Sequence, residues 1–409
     1  MKQLFYIITI LMLLTSCNEE EKRTVDSIHF KTKYKFGWDI KKQLAKDTTS
    51  WKHQMAAWDY ATKGDYKNVL IQTDLDQGRE EINFNTGQID SINSEYRKVK
   101  ATDYIVKLSK AHRIVIINED HSNALHRVFT KSLLKKLYDN GYRKFGYEAL
   151  SYRDNLDSLQ HIRKYPIWKT ILYKDPQLGN LIREAIAIGY TVFPYEAQSE
   201  EALHSRGKER EIEQAKNIQK KIAENPSEKV LIHCGWSHNT EGIVGGNWGK
   251  AMAARLTEYT GINPLTIDQI SFSERGNPAF NAPLLKALQV TESSIIIDKA
   301  GNSYKNNNDN YWRDISVFHP NTKYVNGRPD WLFKNGTKNV DIDFTDIDMQ
   351  FPVMVLAFKK GENINKAIPV DITEVSYDDK TGYLGLKKGG YTIVVTNGKK
   401  SVKFDKNVK

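Results

Sequence analysis

The sequence predicts an α/β fold: a mostly parallel sheet with helices on both faces, plus N-terminal helices and a small C-terminal antiparallel β module. Between residues 101 and 270, short apolar segments alternate with segments whose apolar residues recur every three or four positions. Nearly continuous apolar strands are typical of parallel sheets that are buried between helices. After residue 351, short β runs separated by Gly- and Asn-containing turns predict the antiparallel module.

Composition narrows the classes of protein that this chain can belong to. Its 409 residues are enough for two domains, or for one large domain with an extension, and an aromatic share of 11% allows a sizeable core. Two cysteines exclude a disulfide framework and a cysteine-rich zinc module. The net charge is +10, but the densest cationic stretch, residues 206–221, alternates in sign as a solvated helix does. We therefore predict no nucleic-acid partner.

The N-terminus has the pattern of a lipoprotein signal peptide, which we assign to residues 1–16. An apolar run from Leu4 to Leu14 is too short to span a bilayer and is followed by Thr15, Ser16 and Cys17. A cysteine after small residues at this position resembles a bacterial lipobox, which implies that Cys17 is lipidated, for example with palmitate, and becomes the first residue. An ordinary signal peptide with an incidental cysteine is the alternative. Residues 17–30 are polar and predict a tether.

The rest of the chain divides into three predicted parts. Residues 31–100 carry aromatic side chains at loosely helical spacing and predict two to four helices. Residues 101–335 predict the α/β domain, and residues 350–409 the small β module. Within the α/β domain we expect strands near residues 113–117, 145–147, 191–193 and 229–232, with one long helix over about 200–224. Residues 264–270 and 314–318 predict further strands.

Candidate functional residues come directly after four of the predicted strands. Because the carboxyl ends of parallel strands line one crevice, we expect these side chains to converge. They are Glu119 and His121 after the first strand, Glu148 after the second, Glu196 after the third, and His233 and His238 after the fourth.

Two chemistries suit carboxylates and imidazoles that converge in this way. One is general acid/base catalysis, in which a histidine activates water and a glutamate holds its tautomer. The other is a divalent metal site, for which His121, His238 and Glu119 are the candidate ligands. Structural roles are also open: Glu119 can cap the following helix, and His233 can be a hydrogen-bonded core residue.

Residues 102–270 resemble the superfamily of erythromycin esterases, ChaN-type haem-uptake lipoproteins and Tiki proteases. The similarity covers less than half of the chain, and it departs from the family by placing Asn118 where the family has glycine. Its motifs are N-E-D-H (118–121), H-R-x-F (126–129), E-A-L (148–150), R-E-x-x-x-A-x-N (210–217) and G-W-S-H-N (235–239).

The resemblance implies roles for individual residues. His121 would be the water-activating base or a metal ligand, Glu119 and Glu148 its carboxylate partners, and His238 the second catalytic imidazole. Candidate substrate-binding residues are Arg210, which would anchor the site from its helix, together with Arg127, Glu196 and His233.

We therefore predict a lipid-anchored hydrolase of the cell envelope that cleaves an ester or amide in a small-molecule or peptide substrate. The membrane contact would be made through Cys17, in the outer membrane, facing the periplasm or the cell surface. Two alternatives remain: a ChaN-like lipoprotein that binds haem or iron, and a catalytically inactive surface protein that binds a polymer.

Overall fold

A computed structural model describes residues 23–150, 165–166, 174–205, 207–306, 308, 310–376 and 380–409. The predicted signal peptide and Cys17 lie outside these residues. No helix in the described ranges is both long and apolar enough to cross a membrane.

The main sheet has eight strands in the order β2-β9-β11-β8-β3-β6-β4-β5. All neighbouring pairs from β11 to β5 are parallel, whereas β9 pairs antiparallel with both β2 and β11. The predicted mixed α/β fold with a mostly parallel sheet is thus confirmed. The strands are β2 Tyr96–Lys100, β3 Ile114–Glu119, β4 Tyr142–Tyr147, β5 Thr191–Phe193, β6 Lys229–Gly235, β8 Leu265–Phe272, β9 Ser294–Asp298 and β11 Ile315–Phe318.

Alternate residues of the central strands pack against different helices. In β3, Val115 and Ile117 share a core with one set of helices, and Ile114 and Ile116 share a second core with another set. This two-sided burial explains why these strands are apolar throughout. The first set is α5 Ala101–Ser109, α6 Ala124–Asp139 and α7 Pro176–Ile188; the second is α9 Lys208–Glu224 and α10 Met252–Thr260. A short helix, α11 Pro283–Leu288, packs against a third cluster.

The helix predicted over residues 200–224 is two helices. The first, α8, spans Glu200–Ser205, and α9 begins at Lys208 after Gly207, which adopts a non-helical conformation (φ −122°, ψ −140°) as its N-cap. Glycine destabilises helix interiors because ordering its backbone costs more conformational entropy than ordering that of other residues. The break between the two helices is therefore favoured at Gly207.

Four helices form in the N-terminal part, at the upper end of the predicted number. They are α1 Gly37–Lys46, α2 Lys52–Thr62, α3 Tyr66–Gln77 and α4 Thr86–Glu95. A capping box between Asn85 and Gln88 starts α4. The residues that follow form β2, an edge strand of the main sheet, so this part of the chain joins the α/β domain directly.

The C-terminal part is an antiparallel module, as predicted, but it begins before residue 350. One sheet has the order β1-β19-β18-β15-β16, and a second pairs β14 with β17; side chains from both sheets share one core. Its strands are β1 Asp26–Ser27, β14 Thr337–Asp343, β15 Val353–Lys359, β16 Asp371–Val375, β17 Thr381–Lys387, β18 Gly389–Thr396 and β19 Ser401–Val408. Two other pairs are short: β7 Glu241–Gly242 with β10 Tyr311–Trp312, and β12 Tyr324–Val325 with β13 Arg328–Pro329.

The predicted tether is also shorter than residues 17–30. Strand β1 pairs antiparallel with β19, and Phe30 is buried with Tyr34 and Phe36 against β15 of the same module. Apolar side chains in this segment contribute to a core, so its last residues cannot act as a solvated linker.

Candidate functional site

The carboxyl ends of β3, β6 and β4 bring the predicted residues together. Glu119 on β3 lies opposite Gly235 on β6, and His233 lies opposite Tyr147 on β4. Glu148 follows Tyr147 directly, and its backbone N–H donates to the His233 carbonyl. The sheet register therefore places these side chains at one edge, where α/β folds bind ligands.

Glu119 is the centre of the first group of side chains. Its carboxylate accepts from Arg127 through Nε and Nη2, both at 2.8 Å, from the Tyr147 hydroxyl at 3.0 Å, and from His121 Nδ1 at 2.9 Å. Burial alone would raise the pKa of Glu119, but Arg127, His233 and the hydrogen bond from His121 outweigh it and hold this pKa well below its ordinary value. An ionised Glu119 can only accept, so Nδ1 of neutral His121 carries the proton and Nε2 carries the lone pair.

Arg127 does not reach a crevice, which disagrees with its predicted substrate contact. Its side chain is fully buried on α6, where Nη1 donates to Asp175 at 2.6 Å and Nη2 donates to the His121 carbonyl at 2.8 Å. Asp175 in turn caps the N-terminus of α7. All of its nitrogens are therefore used to hold Glu119 and the loop that carries His121.

Arg210 is the centre of the second group. From α9 its Nη2 donates to Glu148 and to Glu196, each at 2.6 Å, and Nε donates to Glu196 at 3.0 Å. Nη1 lies 3.0 Å from Nε2 of His238, whose Nδ1 lies 2.9 Å from a Glu211 oxygen. Three strand ends are thus joined by one guanidinium, which is carried by α9.

The charges around Glu148 and His238 shift their pKa values in opposite directions. Burial would raise the pKa of Glu148, but His238, His121 and Arg210 lower it below its ordinary value. Burial would lower the pKa of His238, but Glu148 and Glu211 raise it. Nη1 of Arg210 can only donate, so Nε2 of His238 accepts from it and Nδ1 carries the proton toward Glu211.

Gly235 lies where the two groups meet. A Cβ built on this glycine would fall well inside van der Waals contact with Cε1 and Nε2 of His121 and would lie 3.3 Å from Glu148 Oε2. The Gly235 N–H donates to that same Glu148 oxygen at 2.5 Å. The absence of a side chain therefore lets the His121 ring lie over the strand with Nε2 beside Glu148.

His233 is part of the site's support and has no access to solvent. Its ring stacks on Tyr147 with centroids 4.8 Å apart, and its Nδ1 lies 3.6 Å from Glu119 Oε2. Burial lowers the pKa of His233 to about 4, and the ring is neutral at ordinary pH. Its predicted substrate contact is not compatible with full burial.

Sequence reasoning missed three residues that hold the candidate catalytic side chains. Tyr147 was assigned to a strand and Glu211 to a matched motif, without roles, and Asp175 was not singled out. The signal for Glu211 was its place beside Arg210, on a helix that faces the late histidine. Tyr147 and Asp175 offered no local signal, because their partners are 28 and 48 residues away.

Two of the three candidate metal ligands already contact a fixed guanidinium. Arg127 donates to both oxygens of Glu119, and Nη1 of Arg210 lies 3.0 Å from Nε2 of His238. A fixed cation at each of these ligands opposes a divalent metal ion there. Within the described ranges, no three His, Cys, Asp or Glu side chains are spaced to hold a metal ion. The arrangement instead favours proton transfer between residues of the chain itself.

The candidate catalytic side chains are only slightly accessible. The exposed fraction of the side chain is 10% for His121, 7% for Glu148 and 22% for Arg210. A cavity of about 500 Å³ opens beside His238; it is lined by Ser237 and Thr240, and by Trp248, whose ring stacks on His238 at 4.8 Å.

Comparisons with known proteins add little to this geometry. The chain matches no protein-family model and no curated protein. Among solved structures, it is similar to the type III effector HopBA1, with 11% identity, a TM-score of 0.30, and 45% of this chain and 93% of that chain covered. It is also similar to RRSP, a MARTX toxin effector domain from Vibrio vulnificus CMCP6, with 15% identity and a TM-score of 0.29. That match covers 52% of this chain and 43% of the RRSP chain.

Proposed function

We propose that this protein is a lipid-anchored cell-envelope hydrolase of the erythromycin-esterase-like superfamily, which cleaves an ester or amide bond with water activated by His121. The observation that carries the proposal is the pair Glu119–His121. An ionised, buried carboxylate fixes Nδ1 of the imidazole and leaves Nε2 as the basic nitrogen beside Glu148. A histidine held in this way is the usual general base for activating water.

The proposed reaction proceeds by proton transfers between His121 and the substrate. His121 Nε2 takes a proton from water as the water oxygen bonds to the carbonyl carbon. The C–O or C–N bond to the leaving group then breaks, and the protonated His121 gives this proton to the leaving atom. Glu119 at Nδ1 stabilises the charged form of the His121 ring. His238 is held between Arg210 at Nε2 and Glu211 at Nδ1, so its place in the proposal is to position that guanidinium beside Glu148.

The finer layout of the fold is part of the same proposal. Helix layers on both faces, supported by the two separate cores, would leave the carboxyl-end edge of the sheet open to substrate. The cavity beside Trp248 would then hold the part of the substrate that does not react.

The test is the rate of hydrolysis by His121→Ala over a panel of nitrophenyl esters and peptide anilides. We expect a loss on the order of 10²–10⁴ in kcat/KM, with a cooperative melt kept at a lower temperature because the hydrogen bond to Glu119 is lost. The matched control is His29→Ala, which removes an exposed imidazole from another part of the chain. If both variants hydrolyse every accepted substrate at the wild-type rate, His121 is not the base. A Soret band on haem titration of such an inactive protein would then favour the haem-binding alternative.

The proposed anchor has its own test. Cys17→Ala is expected to move the full-length protein from the membrane to the soluble fraction, because acyl chains supply the membrane affinity. Retention of the variant in the membrane would contradict the lipobox assignment and leave the hydrolase proposal untouched.

A further inference from the structure

A small cavity lies between the α/β domain and the C-terminal module. Its volume is about 60 Å³, and its walls come from α6 and α7 on one side and from β15, β17 and β18 on the other. One water needs roughly 10–15 Å³ of such space, so the cavity has room for a group of about four or five atoms. A whole nucleotide or lipid headgroup is too large for it.

The side chains around this cavity carry an excess of positive charge. Four are cations and one is a carboxylate: Lys131, Arg183, Lys359, Lys387 and Glu184. Arg183 is neutralised by Glu362 through bonds of 2.9 and 2.8 Å, and Lys387 by Glu184 at 3.1 Å. Two positive charges therefore remain without a counter-ion at the wall.

Those two charges belong to Lys131 and Lys359. Neither ammonium group has a hydrogen bond or ion pair among the residues that the structure describes. Lys359 is exposed, whereas Lys131 is half-buried. Burial, with help from Lys387, lowers the pKa of Lys131 to about 8, while Glu184, Asp371 and Asp175 act in the opposite direction. Asp371 is itself paired with Arg328, and Asp175 with Arg127. A half-buried ammonium without a hydrogen-bond partner is unfavourable, and a bound anion would remove that penalty.

We propose that this cavity binds a small inorganic oxyanion, with phosphate as the best-matched class. The neighbouring side chains offer donors on several sides, as an oxyanion requires: ammonium groups from Lys131 and Lys359, and an amide group from Gln177. The site lies away from the candidate catalytic residues and does not depend on the proposed hydrolase function.

Binding at this place would strengthen the contact between the two parts of the chain. Lys131 stands on α6, and Lys359 stands on β15 of the module. An anion held by both would join them electrostatically. Since the ligand binds only when the interface is formed, it stabilises the folded full-length protein by mass action.

The experiment is thermal unfolding of the full chain at pH 7 in 10 mM phosphate, compared with sodium chloride at the same ionic strength. We expect phosphate to raise the melting temperature by about 2–5 °C. Lys131→Met should lose most of this rise. Lys135→Met, which removes an exposed lysine one turn further along α6 that pairs with Asp139, should keep it. Glycerol 3-phosphate should give no rise, because its carbon chain does not fit.

A second measurement on the wild type covers the case in which Lys131→Met does not fold. The phosphate-dependent rise should fade as the pH increases past about 9, where Lys131 becomes neutral. The proposal is overturned if phosphate and chloride give the same melting temperature, if Lys131→Met keeps the full rise, or if the rise is undiminished at pH 10. A rise with glycerol 3-phosphate equal to that with phosphate would place the anion at an open surface and would also overturn it.

Discussion

Replacing Gly235 by alanine should displace His121 while leaving the fold almost intact. The new Cβ would fall inside van der Waals contact with the imidazole, and the ring would have to retreat by about 1 Å to reach ordinary contact. Gly235 has no positive φ, so its backbone accepts alanine without strain. The effect of the substitution is therefore confined to the space above β6.

The expected magnitudes follow from that displacement. Loss of the His121–Glu119 hydrogen bond lowers the free energy of unfolding by about 1.5–3 kcal/mol. Alanine in place of glycine reduces the conformational entropy of the unfolded chain, which raises the free energy of unfolding by about 0.4–1 kcal/mol. The net loss of stability should be about 0.5–2.5 kcal/mol. Displacement of a catalytic group by about 1 Å costs on the order of 10² in rate, so kcat/KM should fall much more than stability.

Two measurements check this prediction. The first is kcat/KM on an accepted ester, with Gly87→Ala in exposed α4 as the matched control, because a Cβ there meets only Asn85 at 3.5 Å. The second is the imidazole NMR signal of His121, which should lose the Nδ1–H that donates to Glu119. If Gly235→Ala keeps wild-type activity and this signal, the orientation of His121 does not control the reaction.

Three further outcomes are expected. Tyr147→Phe removes one hydrogen-bond donor to Glu119. We expect kcat to fall about 10-fold with KM unchanged, and the free energy of unfolding to fall by about 1 kcal/mol. An unchanged kcat would show that this donor is dispensable. Between about pH 6.5 and 4 the protein should lose roughly 3–4 kcal/mol of stability per pH unit in acid melts, because the unfolded chain binds protons that three buried neutral histidines do not. The three are His126, His233 and His319. The stability that the raised pKa of His238 contributes is already complete below about pH 6.5, so it does not change this slope; a flat profile would contradict the prediction. A chain that ends at Asn335 should lose its cooperative melt, because Phe30 and its aromatic neighbours would no longer be buried against the C-terminal module. Burial of each such side chain contributes about 1.5–3 kcal/mol. A melt at the full-length temperature would refute this.

The convergence of the candidate residues could be predicted because it depends on a local rule. Glu119, Glu148 and His233 each lie at or just after the end of an apolar strand, and parallel strands end at the same edge. The sequence could not show which of them would be buried. Full burial of Arg127 and His233 depends on Asp175 and Tyr147, which reach them only after the sheet and helices are assembled.

The C-terminal module shows where local reasoning fails. Its β runs and turns were visible in the sequence, but strand β1 has only two residues and pairs with β19 across most of the chain. Nothing near Asp26 indicates that partner. The aromatic residues that follow it resemble the start of a helical extension, yet they cover the outer face of β15. Pairing over such a sequence distance is determined by the assembled core, which no window of the sequence contains.

The contacts of α7 link this module to the candidate site. At its N-terminus, Asp175 holds Arg127, which in turn fixes Glu119. Further along, Asn180 donates to the Val370 carbonyl, and Arg183 pairs with a module glutamate. The helix is thus held at one end by the groups that orient the candidate base and along its length by the module. Because the orientation of His121 depends on Glu119, and Glu119 depends on Arg127, the module acts as part of the scaffold that sets the geometry of the site.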